Sequence, residues 1–204
     1  MDLKKYVDII VSGASLAFDV LLKLVELKLT KTLSKKNDMD VNEILFYGAT
    51  DQDKTMKTGL NNLLCIFYLI LHANSCVDVC VPSLVSRTLA SSLITLQLRN
   101  QVKIRIIIHK SENFNNLRLF VQNNIEVKVI KPAVKLQHEF ILIDALVNCG
   151  SVAVLGSLDY DTDRVNYNQD ATILTSDPTV LRNLKMEFDR IWNCNDISQF
   201  TLLI

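Results

Sequence analysis

The sequence predicts an α/β fold: a three-layer α/β/α sandwich around a mixed, largely parallel sheet, preceded by an N-terminal apolar helix. Three observations point there. Strand-type and helix-type hydrophobic periods alternate along the chain from Val41 onward. Only 5 Gly and 3 Pro interrupt a chain that is 49% hydrophobic, which leaves few places for long irregular segments. Val102-Lys-Ile-Arg-Ile-Ile-Ile-His109 turns from alternation into a continuous apolar run, the pattern of a strand covered on both faces.

The elements follow in order. Val41 to Tyr47 and Ser75 to Val81 are short runs with β-branched residues, and a helical period from about Lys54 to His72 lies between them. Helix periodicity returns from Val85 to Arg99, followed by the apolar strand to His109. Asn113 to Asn123 reads as a short helix and Ile125 to Ile130 as a strand. Glu139 to Ile143, Val152 to Leu155 and Ala171 to Thr175 read as further strands, and Asp177 with Pro178 opens a last helix to about Trp192.

Ahead of this domain, assigned to residues 41–204, residues 1–33 form an apolar segment and 34–40 a polar linker of mixed charge. Between Tyr6 and Leu29 the polar residues Asp8, Ser12, Ser15, Asp19, Lys23 and Glu26 fall in one narrow stripe at about 100° per residue. Such a helix needs cover. Aspartate near the centre of a lipid-crossing helix costs roughly 2.5 to 3.5 kcal/mol, so residues 6–29 fit a membrane surface, a paired helix or a docked protein face better than a lone span. Acids within the apolar region and the lack of a small-residue cleavage pattern argue against a cleavable secretory signal.

Lys plus Arg and Asp plus Glu both number 22, so no net basic field attracts nucleic acid, and a nucleic-acid partner is not expected. Cys65, Cys76, Cys80, Cys149 and Cys194 include no CxxC pair, which predicts free thiols and an intracellular, reducing compartment. Cys76 and Cys80 would share one strand face about 13 Å apart, too far for a disulfide. His72 and His109 stand alone at element ends and read as structural.

Chemistry concentrates in Leu136-Gln-His-Glu-Phe-Ile-Leu-Ile-Asp144 and in Gly156-Ser-Leu-Asp159. Together with Asn168-Gln-Asp170, these segments resemble the phospholipase D superfamily, whose pattern is HxK, four residues, D and a downstream GSxN. Ser75-Cys-Val-Asp-Val-Cys80, Val102-Lys-Ile-Arg-Ile106, Ile125-Glu-Val-Lys-Val129 and Glu187-Phe-Asp-Arg-Ile-Trp192 extend the likeness over most of the domain. The resemblance is to the single-motif mitochondrial cardiolipin hydrolase or Zucchini group. It implies a phosphodiesterase ancestry, a histidine nucleophile, a phosphate-holding lysine, and a dimer in which two motifs meet at a twofold axis. It also suggests a mitochondrial outer-membrane location facing the cytosol.

The departures fall on the catalytic positions. Gln137 stands at the nucleophile and Glu139 at the lysine, while Asp144, Gly156, Ser157, Asn168 and Asp170 match and Asp159 replaces the phosphate-binding asparagine. Gln137 offers no nucleophile of the family kind. A carboxylate about 6 Å from a phosphate charge repels it by roughly 2 to 3 kcal/mol at an effective dielectric of 20, and Glu139 with Asp159 would be doubled by symmetry. If Gln137 and Glu139 face the site, strand alternation turns His138 to the other face. Lys135 shares the parity of Gln137 but reads as a solvated loop residue. The segment Tyr47-Gly-Ala-Thr-Asp-Gln-Asp-Lys54, where the group carries a zinc-binding insertion, has no Cys or His, so no metal or cofactor is expected.

The leading expectation is a pseudoenzyme with a degenerate HKD motif, acting through protein or membrane binding, as a homodimer or as a heterodimer with an active family member. Three alternatives remain. One is an active phosphodiesterase on cardiolipin or single-stranded RNA using His138. Another is metal-assisted hydrolysis through a cluster of Glu139, Asp144, Asp159 and Asp170. The last is RNA binding through Lys103, Arg105 and Lys128.

Overall fold

The computed structural model describes residues 41–48, 54–109, 114–130, 136–145, 150–156, 160–161 and 164–194. These belong to one unit, residues 40–204. The expected N-terminal helix and the linker lie outside the described residues.

Among the described residues, seven strands and four helices follow the expected order to within a few residues. They are β1 (Asn42–Phe46), α1 (Lys54–Leu71), β2 (Cys76–Val81), α2 (Arg87–Asn100), β3 (Lys103–His109), α3 (Phe114–Gln122), β4 (Glu126–Ile130), β5 (Phe140–Ile143), β6 (Val152–Leu155), β7 (Ala171–Thr175) and α4 (Pro178–Asn193). The sheet order is β1-β7-β6-β5-β2-β3-β4. β2, β3 and β4 pair in parallel, as their helical crossovers require, and the other four junctions are antiparallel. Five of the seven strands still run in one direction, because only β5 and β7 are reversed, each wedged between two strands of the common direction. The sheet is therefore largely parallel in strand direction and mostly antiparallel in its pairings.

Strand alternation sorts the core into two layers. Cys80, Ile107, Ile130, Phe140, Leu142 and Ala153 face α4 and pack against Leu181, Phe188 and Ile191. Residues of the opposite parity, Val77, Val79, Ile104, Ile106 and Ile141, are fully or almost fully buried on the other face, the side of α1 to α3. There Leu63, Ile66, Phe67 and Ile70 supply the apolar stripe of α1, and Leu89, Leu93 and Leu96 that of α2. Both ends of the sandwich are capped by side chains. Ser86 Oγ accepts from Leu89 N at the start of α2, and Asp177 Oδ1 accepts from Thr179 and Val180 N–H at the start of α4, with Pro178 at the first helical position.

The α4 layer also holds charge. Arg105 donates from Nε and Nη2 to Asp78, both at 2.7 Å, and Asp78 is completely buried in β2. Lys185 and Asp189 of α4 complete the group, and the guanidinium lies 4.8 Å from the centre of the Phe188 ring. Lys128 is buried too, donating to the carbonyls of Trp192 and Cys194 at the end of α4 at 2.5 and 2.8 Å. Arg105 and Lys128 are thus spent on holding the helix, which removes them as an RNA-binding stripe. Lys103 makes a surface pair with Glu126 at 3.6 Å.

Cys65, Cys76, Cys80 and Cys194 are free thiols, and Cys149 lies outside the described residues. Burial pushes the Cys80 thiol up to about 12, with Glu187 adding to the rise, so it stays protonated and inert. His72 has a structural place, with Nδ1 2.8 Å from the Tyr68 carbonyl and its ring stacked on Tyr68. Among the described residues, no helix is long and apolar enough to cross a membrane.

Candidate functional site

β5 carries signature residues at both of its ends. Glu139 precedes the strand and Asp144 follows it, five residues apart, about 16 Å at strand rise.

Asp144 is buried, in a left-handed conformation with φ of 53°, and its backbone N–H donates to the Cys76 carbonyl at 2.8 Å. Its carboxylate gathers the turn between α1 and β2. It accepts from Asn74 N at 2.9 Å, Ser75 N at 2.7 Å, Cys76 N at 3.1 Å and Ser75 Oγ at 2.9 Å. Burial alone would raise this carboxyl, but the converging N–H and O–H donors prevail and hold it below the usual carboxylate range. Ser151 Oγ closes the knot by donating to the Asp144 carbonyl at 2.7 Å. Asp144 therefore ties β2, β5 and the approach to β6 together. It cannot join an acidic cluster with Glu139, because it stands at the far end of the strand with its acceptor sites filled.

At the other end, four strands bring a different set together. Gly156 N–H points to the Glu139 carbonyl at 3.4 Å, and Tyr47 N–H donates to the Asp170 carbonyl at 3.0 Å. Gly156 has φ of 138°, and a Cβ there would lie 2.4 Å from the Ala171 carbonyl oxygen, so only glycine lets β6 and β7 approach this closely. Gly48, with φ of 72°, is pressed just as tightly on the Asn168 carbonyl. Glu139, Gly156 and Asp170 are thus assembled, Glu139 and Asp170 half-buried. Gln137 and Asn168 are exposed, and Ser157 and Asp159 lie outside the described residues, as does Lys135.

His138 is turned away from this group. Its Nε2 lies 3.8 Å from Glu187 Oε1 on α4, and its ring stacks on Phe140, which is part of the α4-side core. The imidazole is on the wrong side of the sheet to reach a group bound beside Glu139.

The residues that do back this end went unrecognised in the sequence. Tyr160 and Tyr47 are each 5% exposed and Thr172 is fully buried, and among the described residues no hydrogen bond of good geometry satisfies Tyr47 Oη, Tyr160 Oη or Thr172 Oγ1, although the Tyr47 and Thr172 hydroxyls adjoin each other. Tyr47 is pushed up to about 12 by burial, against the neighbouring Thr172 hydroxyl and with help from Cys65 and Asp170. Burial, then Glu139 and Tyr47, push Tyr160 higher still. Both phenols are neutral at any physiological pH, so neither supplies an oxyanion nucleophile. The one signal for Tyr160 was its place directly after Gly156-Ser-Leu-Asp159.

The loop beyond is anchored on α2. Asp161 Oδ1 accepts from Ser86 Oγ and Thr88 Oγ1, both at 3.1 Å, and from Thr88 N at 3.3 Å, while Arg164 donates to Oδ2 at 2.9 Å. Burial opposes ionisation there, but these donors hold the Asp161 carboxyl below its ordinary value. Among the described residues, no group of three or more His, Cys, Asp or Glu is placed to hold a metal ion.

The family profile described as cardiolipin synthase, PLD-like domain, matches residues 66–192, which include β5, β6, β7 and both Glu139 and Asp144. The chain belongs to this phospholipase D-like family. Mitochondrial cardiolipin hydrolase of Chlamydomonas reinhardtii is 26% identical over 125 residues, covering 59% of this chain and 53% of that protein. The human protein of the same name is 24% identical over 146 residues, covering 70% and 56%. The chain spans a little over half the length of the curated relatives it matches. Among solved structures, the phospholipase D family member Nuc from Salmonella typhimurium superposes with a TM-score of 0.57 at 12% identity, over 79% of this chain and 99% of that one. NucT from Helicobacter pylori gives 0.56 at 16% identity, over 76% and 96%. These two share the fold.

Proposed function

We propose that this chain is a catalytically silent member of the phospholipase D-like family that acts by binding, as a homodimer or with an active relative. One observation carries the reading. Gln137 and Glu139 occupy the positions of the family's nucleophile and phosphate-holding lysine, and the adjacent imidazole, His138, is directed at Glu187 on the far side of the sheet. Phosphoryl transfer of the family kind needs a lone pair at phosphorus and positive charge on the phosphate oxygens. The Glu139 end offers an amide, carboxylates and neutral phenols instead.

The names of the relatives support a mitochondrial location, and the apolar pattern of residues 6–29 supports contact with a membrane surface. Dimerisation follows from the family's half-site architecture, in which one motif per chain completes its neighbour.

The test pairs the wild type with the triple variant Gln137→His, Glu139→Lys, Asp159→Asn, assayed on cardiolipin and on single-stranded RNA. Wild-type turnover at background, with activity gained only in the triple variant, supports the proposal. Wild-type turnover abolished by His138→Ala, or by chelation of divalent cations, overturns it.

A further inference from the structure

β1 is an outermost strand of the sheet. Its bonds to β7 run through the odd-numbered residues, as Ser176 N–H to the Val41 carbonyl at 2.8 Å and Tyr47 N–H to the Asp170 carbonyl at 3.0 Å fix the alternation. The N–H and C=O groups of Asn42 and Ile44 and the N–H of Phe46 therefore point outward. The Phe46 carbonyl is taken by Asn62 Nδ2 at 3.1 Å, and no other strand among the described residues adjoins this edge.

The side chains beside that edge are apolar and uncovered. Ile44 is 58% exposed, Phe46 67% and Ile173, paired directly with Ile44, 45%. All three share the α4 face of the sheet, but α4 packs over β5 and β6 and stops short of them. Natural edge strands are normally blunted by inward charges, proline or a bulge, and this one bears a single charge, Glu43, which projects to the opposite face.

We propose that the open edge of β1 accepts an extended segment of a partner protein as an additional antiparallel strand. The size of the patch selects this occupant. Ile44, Phe46 and Ile173 present roughly 300 Å² of apolar surface, whereas a stable interface between globular chains needs about 800 Å² from each side. Strand addition makes up the difference with main-chain hydrogen bonds, and side-chain pockets of alternate parity give it specificity. The chemistry of the segment follows from the register. Apolar residues belong opposite Phe46 and Ile44, and a Lys or Arg opposite Glu43, giving the order apolar, any, apolar, basic.

The test uses the full chain and a labelled, end-blocked peptide, Thr-Val-Thr-Val-Lys-Thr, followed by fluorescence anisotropy and amide hydrogen exchange. Binding weakened about tenfold or more by Phe46→Ser, and by N-methylation of the peptide amides that would face β1, supports strand addition. Amides of Ile44 and Phe46 that exchange fast in the free protein and slowly with peptide support it too. The idea fails if the N-methylated peptide binds equally well, or if nothing binds at about 1 mM. It also fails if those amides are already protected in the free chain, or if sedimentation shows a dimer that Phe46→Ser dissociates, which would assign the edge to this chain itself. The triple exchange in the proposed active region leaves β1 untouched, so the two tests fail independently.

Discussion

The two ends of β5 differ in how their polar groups are satisfied. At the Asp144 end a buried carboxylate is met by three backbone N–H groups and a hydroxyl. At the Glu139 end three buried hydroxyls, of Tyr47, Tyr160 and Thr172, lack a well-formed hydrogen bond among the described residues. The residues that match the family pattern are Asp144 at the first end and Gly156 and Asp170 at the second, where Gln137 and Glu139 depart from it. Residues that close a buried network cannot be exchanged without stranding their partners, whereas an exposed position such as Gln137 is freer to change once, as proposed, phosphate is no longer handled.

That contrast can be broken by experiment. The largest effect is expected from Asp144→Ala, which leaves three N–H donors facing an apolar side chain, and a loss of about 3 to 5 kcal/mol in urea unfolding is expected. Gly156→Ala should follow, at about 2 to 3 kcal/mol, because its Cβ meets a backbone carbonyl and its φ disfavours any side chain. The Glu139 end is then permissive in its side chains but not in its backbone.

A third effect is in pH. The folded-state carboxyls of Asp144 and Asp161 are held below their unfolded value of about 3.9. Their contribution is fully present above that value and is lost as pH falls through it toward the folded one. Urea midpoints should therefore drop below about pH 4, and Asp144→Asn should flatten that acid limb. A limb unchanged in Asp144→Asn would show that the carboxylate is not what the turn requires. The smallest effect belongs to Tyr160→Phe, expected within about 0.5 kcal/mol because the hydroxyl it removes has no partner. A loss above about 2 kcal/mol would mean that Tyr160 is satisfied after all, and the contrast between the ends would collapse.

Much of this was legible in the chain itself. Periodicity placed all eleven elements, because each is a run with one dominant repeat, and alternation through Gln137, His138 and Glu139 already turned the imidazole from the family site. Pairings between distant residues were not legible. Arg105 read as one of three basic candidates for RNA binding, yet its partners sit 27 and 84 residues away at Asp78 and Asp189. Lys128 is fastened to carbonyls 64 and 66 residues further on. Tyr160 was invisible for a related reason: its burial depends on β1, α2 and the Glu139 end meeting around it, and no local pattern records that.

The reversed strand β5 has a kinetic consequence. β2, β3 and β4 come early in the chain, yet one side of β2 has no neighbour until β5 has been made, some sixty residues later. Asp144 reaches back 68 to 70 residues to close the same seam. During synthesis the three parallel strands and their helices must therefore wait with an apolar edge open, and loop closure over that span slows the pairing that covers it. The middle of the sheet is sealed only after that wait, ahead of β6, β7 and the β1 edge, so damage to the Asp144 knot should slow folding as well as lower stability.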